Sequence, residues 1–278
     1  MKQQLCWEQL PVHVLELIFD KHVNALDMCT CKAWRCVVHS SKINEMHLHA
    51  TSASAASHWA VFLRARPAIQ HLQLTSVFDY LKPEHSSEEK ISSLALSSSL
   101  CGVLLSCSSV ITTGYFAGAF VQMPTDSPSA LTELTIKMSG HFLTSRCTDL
   151  WSSIPGLQHL QQLTNLHMKV APDTYGKLDS SLCSLSRTPS MLHSLAVEGS
   201  DKFSTSPLNV EVPQVLAARL LTQLNLVNCT VRCLSGSLAD CLQGLTSLSL
   251  HESTVYEDNN FTVTRLTNLV QLDLAEAT

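Results

Sequence analysis

The stretch LTQLNLVNCTV, Leu221 to Val231, decides how this chain is read. Alternation at Leu224-Asn225-Leu226 predicts a short strand with one face buried, because successive strand side chains point to opposite faces. Alternation alone leaves Leu221 and Cys229 unexplained. Other copies turn the oddity into an architecture. The pattern L-x-x-L-x-L recurs as IQHLQL from Ile69, ISSLAL from Ile91, LTELTI from Leu131 and LTNLHM from Leu163. It continues as LHSLAV from Leu192, LTQLNL from Leu221, LTSLSL from Leu245 and LVQLDL from Leu269, with INEMHL from Ile43 as a weaker first member.

Start-to-start spacings are 26, 22, 40, 32, 29, 29, 24 and 24 residues. A supersecondary period in the twenties is the mark of stacked units. In that geometry Leu224 and Leu226 enter the core from a strand, and Leu221 enters from the turn before it. At the ninth position the chain leaves the sheet with backbone groups still inside. A small polar side chain there satisfies them. Cys229 holds that place, and Val231 re-enters the core. Elsewhere the ninth residue is Thr51, Val77, Ser99, Ser139, Ala171, Ser200, Ser253 or Ala277, so a patchy interior ladder is expected. From about Ile43 onward the chain resembles the leucine-rich-repeat family. The resemblance implies an α/β solenoid, a leucine-rich-repeat horseshoe.

Connecting segments are expected along the convex side, several as helices. SHWAVFLRARP spaces Trp59, Phe62 and Leu63 for one helical face and ends at Pro67. VPQVLAARLL sets Pro213 near a helix start, followed by Val215, Leu216, Arg219 and Leu220, and LQHLQQLTNL repeats leucine every third residue into the next strand. The 40-residue interval after Ile91 is too long for one unit and implies a degenerate copy or an insertion.

That interval contains 35 consecutive uncharged residues between Lys90 and Asp126. Leu100 to Val121 alone is long enough to cross a bilayer. Eight of its 22 residues are Ser, Thr or Gly, and no basic cluster flanks it, so a buried segment fits better than a membrane anchor. With 15% charged residues and a net charge of −5, the chain lacks the basic face that general nucleic-acid binding requires. The 11 cysteines show no framework spacing, and Glu8, Pro11 and Glu16 interrupt any signal-peptide core. Reduced cysteines and an intracellular setting, cytoplasmic or nuclear, are expected.

Residues 5–42 stand outside the repeat. Val14, Leu15, Ile18 and Phe19 form one helical apolar face opened by Leu10-Pro11, and a second apolar run includes Leu26, Met28, Trp34 and Val37. A unit this small buries little by itself and needs the repeat or a partner to cover it. Leu10-Pro11, Val14-Leu15, Ile18-Phe19 and Cys31-Lys32-Ala33-Trp34-Arg35 resemble the F-box family. His13 stands where that family usually has an acidic residue, and the Phe19-to-Cys31 interval is shorter than usual by about three residues. The resemblance implies an all-α helical unit at 5–42 that docks on a Skp-type adaptor and cullin through Leu10, Pro11, Val14, Leu15 and Ile18. The repeats, 43–278, would then present a protein substrate to the ubiquitin ligase. A plain interaction scaffold, with the helices only capping the repeat, is the alternative.

No catalytic or cofactor motif is present, and no metal site is expected. Cys29, Cys31, Cys36 and His39 lack the spacing that brings four ligands together, and Cys229, Cys233 and Cys241 suit the repeat interior. Positions three, five and seven of each copy should face outward from the sheet. From these, Glu133, Lys137, Asn165, His167, Lys169, Glu198, Gln223, Asn225, His251 and Asp273 are the candidate substrate-binding residues. Lys137, His167 and Lys169 form a basic spot suited to an acidic or phosphorylated partner. The sequence stops at Thr278 directly after LVQLDL. An exposed apolar end at Leu269, Leu272 and Leu274 is therefore expected, and with it a truncated chain or a missing partner.

Overall fold

In most of the described copies the residues that the leucine pattern sends inward are buried. Leu131, Leu134 and Ile136 are at most 1% exposed, as are Leu192, Leu195 and Val197, and Leu221, Leu224 and Leu226 are at most 4% exposed. Each fully buried leucine contributes roughly 1.5–3 kcal/mol relative to an exposed one, so the repeated pattern is also the main stabilising term. The computed structural model of the chain describes residues 45–50, 63, 69–76, 100–113, 129–139, 157, 159–171, 182–184, 191–199, 208–212, 220–233, 238–256 and 265–277. The helical unit expected at 5–42 lies outside these residues, as do Trp59 and Phe62. Leu63, in helical conformation, is 1% exposed.

The strands in chain order are β1 (Glu45–Ala50), β2 (His71–Ser76), β3 (Ser109–Thr113), β4 (Glu133–Ser139) and β5 (Asn165–Ala171). They continue as β6 (Leu182–Ser184), β7 (Ser194–Glu198), β8 (Leu208–Val212), β9 (Gln223–Val227) and β10 (Cys229–Cys233). The last are β11 (Ser247–His251), β12 (Thr254–Tyr256) and β13 (Gln271–Asp273). Nine of them make one parallel sheet in the order β1-β2-β3-β4-β5-β7-β9-β11-β13. A second parallel sheet has four strands, β12-β10-β8-β6. With few helical turns beside them, the result is an α/β fold. In both sheets each strand lies beside the next member in chain order. From β7 to β12 the chain alternates between the two sheets.

Register keeps like positions together. Leu195 pairs with Leu224, Leu224 with Leu248, and Leu248 with Leu272. Two sets of polar bonds repeat with the strands. At the second position, Thr132 Oγ1 donates to the Ser108 carbonyl (3.0 Å) and Thr164 Oγ1 to that of Thr132 (3.1 Å). Thr222 Oγ1 likewise donates to His193 O and Thr246 Oγ1 to Thr222 O, both at 3.2 Å. Each of these carbonyls also accepts two backbone N–H groups from the next copy, as Thr132 O does from Thr164 and Asn165. The hydroxyl is therefore a third donor to a carbonyl that already accepts two N–H groups, and it ties the threonine side chain to the preceding copy.

The ninth position carries the interior set. Cys229 Sγ lies 3.6 Å from Val197 O in the preceding copy and 3.2 Å from Val227 O in its own. Ser253 Oγ repeats the geometry, reaching Leu226 O (3.1 Å) and His251 O (3.0 Å), and it accepts the Cys229 N–H at 3.1 Å. The eighth residue makes the turn between. Asn228 and Glu252 have φ of 52° and 51°, and Glu276 has 57°, so the same left-handed step recurs. Gly199 holds that place one copy earlier, where an added Cβ would meet the Asn228 carbonyl oxygen at 2.2 Å. Its N–H donates to Val227 O as Asn228 N–H does to His251 O. No side chain fits at Gly199 without moving the neighbouring backbone.

Several expectations are corrected. The 40-residue interval after Ile91, expected to hold a degenerate copy or an insertion, contains β3, whose register with β2 matches His71 to Ser109 and Leu72 to Val110. The hidden copy is therefore CSSVIT, with Cys107, Val110 and Thr112 inward and at most 1% exposed. ISSLAL from Ile91 lies outside the described residues, and no strand stands between β2 and β3. Leu100 to Val121 is not one apolar helix. Residues 100–106 are helical, β3 follows, and Leu100, Leu104 and Cys107 are buried. Among the described residues no helix is long and apolar enough to cross a membrane.

Several of the connecting segments are expected as helices, yet β6, β8, β10 and β12, which fall between strands of the large sheet in the chain, form the second sheet. Leu208, Val210 and Val212 alternate inward with Asn209 and Glu211 between them, which is a strand period rather than a helical one. Leu220, expected on a helix, is 50% exposed. The every-third leucines hold: Leu157, Leu160 and Leu163 are fully buried, with 3₁₀ geometry at 157 and 159. At the far end Leu272 and Leu274 are each 40% exposed, and Leu269 packs partly against the core.

Candidate functional site

The outward face of the large sheet is built by the same alternation that fills the core. In β4, Leu134, Ile136 and Met138 turn inward, which leaves Glu133, Thr135 and Lys137 on the other side. In-phase pairing then lines up equal positions as rows across the strands. The fifth-position row runs Thr135, His167, Ala196, Asn225, Ser249 and Asp273. The seventh-position row runs Lys137, Lys169, Glu198, Val227 and His251.

Glu198 is the electrostatic centre of this face. Its Oε2 lies 3.0 Å from Lys169 Nζ and its Oε1 lies 2.9 Å from His167 Nε2, both on the neighbouring β5. The histidine approach is close but poorly aligned as a hydrogen bond, so it acts as an ion pair only while the ring is protonated. Partial burial by itself pushes the Glu198 carboxyl up. The hydrogen bond from Lys169 and the charges of His167 and Lys169 outweigh it and hold the group below the usual carboxylate range. The basic spot expected from Lys137, His167 and Lys169 is therefore divided. Two of its members are turned onto Glu198, and exposed Lys137 stands at the register partner of Lys169.

The other candidates fall into place around this pair. Asn165 Nδ2 donates to Glu133 Oε1 at the long distance of 3.5 Å, joining β4 to β5 at the third position. Asn225 sits one strand beyond Ala196, and its Oδ1 is covered and has no hydrogen-bond partner among the described residues. Gln223 is exposed at the third position of β9. His251 Nε2 approaches Glu252 Oε1 at 3.2 Å, and Asp273 Oδ1 accepts the Ala275 N–H at 3.1 Å. The sheet brings Glu133, Lys137, Asn165, His167, Lys169 and Glu198 together on three adjacent strands. Gln223, Asn225, His251 and Asp273 continue the face without converging on one point.

A feature that the candidate set missed lies at the other end. Glu45, His47, His71, Gln73, Ser109 and Ile111, with Leu72 beneath, line a depression of about 300 Å³ over β1, β2 and β3. Glu45 Oε1 holds His47 Nε2 at 3.0 Å. Its signal in the sequence was the same outward alternation, extended back through the weak first copy and the hidden β3. Among the described residues no group of three or more His, Cys, Asp or Glu side chains converges as metal ligands do. Leu10, Pro11, Val14, Leu15 and Ile18 lie outside the described residues.

The arrangement spreads charged and amide groups over an extended face of the large sheet. No family model matches the chain, and no curated protein matches it.

Proposed function

We propose that this chain is a leucine-rich-repeat solenoid with an F-box-like helical unit at 5–42, acting as the substrate-recognition subunit of an SCF-type ubiquitin ligase. The observation that carries the solenoid reading is the sequential parallel pairing of the large sheet, with ninth-position bonds repeated from Cys229 to Ser253. Sequential stacking supports it because each unit then contacts only its neighbours. The ligase reading rests on the residues of the first segment, Leu10-Pro11, Val14-Leu15, Ile18-Phe19 and Cys31-Lys32-Ala33-Trp34-Arg35. In this reading Leu10, Pro11, Val14, Leu15 and Ile18 meet a Skp-type adaptor, the cullin joins through that adaptor, and the outward sheet face holds a protein substrate in an intracellular setting. No catalytic residue is assigned to the chain.

Co-purification of the full chain with adaptor and cullin tests the proposal, beside a Leu10→Ala, Pro11→Ala double variant. The wild type is expected to be retained and the variant lost, with unchanged circular dichroism. A wild type that fails to bind where a known F-box protein binds leaves a repeat scaffold without ligase assembly.

A further inference from the structure

We infer that Cys233 and Cys241 are an oxidation-sensitive dithiol, which closes to a disulfide when a peroxide reaches the Cys233 sulfur. The two Sγ atoms lie 3.4 Å apart. Cys233 ends β10 and is partly exposed, and Cys241 ends the helical turn Leu238–Cys241 and is 1% exposed. Neither is in a disulfide. A disulfide needs a separation of about 2.05 Å, so the sulfurs must close by about 1.3 Å, within the reach of side-chain torsions.

Cys101, Cys107 and Cys229 are set differently. All three are buried, and burial pushes the Cys107 thiol up to about 11 and that of Cys229 up to about 12. At neutral pH these stay protonated and shielded, which makes them poor nucleophiles. Cys229 is also engaged with the Val197 and Val227 carbonyls. Among these five cysteines, only at Cys233 does a solvent-reachable sulfur stand against a second thiol.

The chemistry balances in two steps. The Cys233 thiolate attacks one peroxide oxygen, the O–O bond breaks, and the departing hydroxide takes up the proton that the Cys233 thiol had lost and leaves as water, giving a sulfenic acid. The Cys241 sulfur then attacks the Cys233 sulfur, the S–O bond breaks, and the hydroxyl departs with the Cys241 proton as a second water. Two electrons pass from the sulfur pair to the peroxide. The new bond fastens the end of β10 in the smaller sheet to the turn that leads into β11 in the larger one.

The test uses the full chain, reduced, exposed to a small excess of hydrogen peroxide, blocked with an alkylating agent and mapped by peptide mass spectrometry. A Cys233–Cys241 cross-link is expected as the dominant product, reversed by dithiothreitol and accompanied by a higher Tm in the oxidised protein. Cys233→Ser, at a partly exposed position, should abolish it. Cys241→Ala should leave Cys233 as a sulfenic acid that dimedone captures. Should that variant fail to fold, wild-type mapping and Cys233→Ser still decide. Recovery of Cys233 alkylated or singly over-oxidised in the wild type, or paired mainly with another cysteine, overturns the inference.

Discussion

The copies at 107–112 and 221–226 occupy equivalent places in one sheet yet share no inward residue. The later copy fills its inward positions with Leu221, Leu224 and Leu226, and the earlier one uses Cys107, Val110 and Thr112. All six are nearly or fully buried, and β3 pairs in phase with β2 and β4. Position and approximate fit, rather than leucine itself, are what the sheet demands. The two copies meet their strand ends differently. In the later one Cys229 and Ser253 reach the Val227 and Leu226 carbonyls, while the buried Asn228 Nδ2 has no hydrogen-bond partner among the described residues. In the earlier one Thr112 Oγ1 donates to the Thr113 carbonyl at 3.2 Å, and the buried Thr113 Oγ1 has no partner among the described residues.

The largest effect expected from this contrast is at Leu226. Truncation to alanine removes a fully buried side chain among leucines that pack in register, and should destabilise the chain by about 2–5 kcal/mol. Denaturant unfolding measures it. A cost below that of Val110→Ala, which removes fewer atoms, would break the idea that the leucine-rich copies carry most of the stability.

The sequence made the leucine-rich half legible because large aliphatic residues recur in phase. Strands β4, β5, β7, β9 and β11 fall where LTELTI, LTNLHM, LHSLAV, LTQLNL and LTSLSL begin to alternate. The copy CSSVIT escaped because its inward residues are small, so no leucine search finds it. The second sheet escaped because its strands are three to five residues long and carry valine, threonine and cysteine at period two. Such short runs give a weak signal beside any helical reading. The threonine at the second position was visible in four copies, but its purpose emerges only when the preceding carbonyl is seen with two other donors. The face was legible as rows and not as pairs. Lys169 and Glu198 hold the same seventh position in consecutive copies, and only in-phase stacking brings their charges together.

A smaller effect of opposite sign is expected at Thr113. Valine keeps its shape and removes the hydroxyl that lacks a partner among the described residues. A buried unsatisfied polar group costs roughly 1–3 kcal/mol, so Thr113→Val should raise stability by about 1 kcal/mol or slightly more. Thr112→Val, which gives up a hydrogen bond, should gain less. If Thr113→Val lowers the unfolding midpoint, the hydroxyl is in use and the two copies are better matched than the contrast suggests.

The smallest effect is electrostatic and separates β5–β7 from β1. Glu198 joins two strands through Lys169 and His167, whereas Glu45 meets His47 on its own strand and is fully exposed. Only the first pair ties together parts of the chain that unfolding separates. Its sign follows from the depressed Glu198 carboxyl. A folded-state pKa below the unfolded value contributes stability that is complete above the ordinary glutamate value of 4.5, and is lost as pH falls through the folded value. Because the partners are partly exposed, Glu198→Gln should cost only about 0.2–1 kcal/mol at neutral pH. The gap between variant and wild type should then close in acid, as pH falls below the ordinary glutamate value and through the lower folded one. Glu45→Gln should leave the unfolding midpoint where it was at neutral pH. Urea midpoints for both variants at neutral and acid pH make the measurement. A Glu198→Gln cost that persists unchanged in acid would assign the effect to packing at the strand end, and the two pairs would then differ in burial rather than in charge.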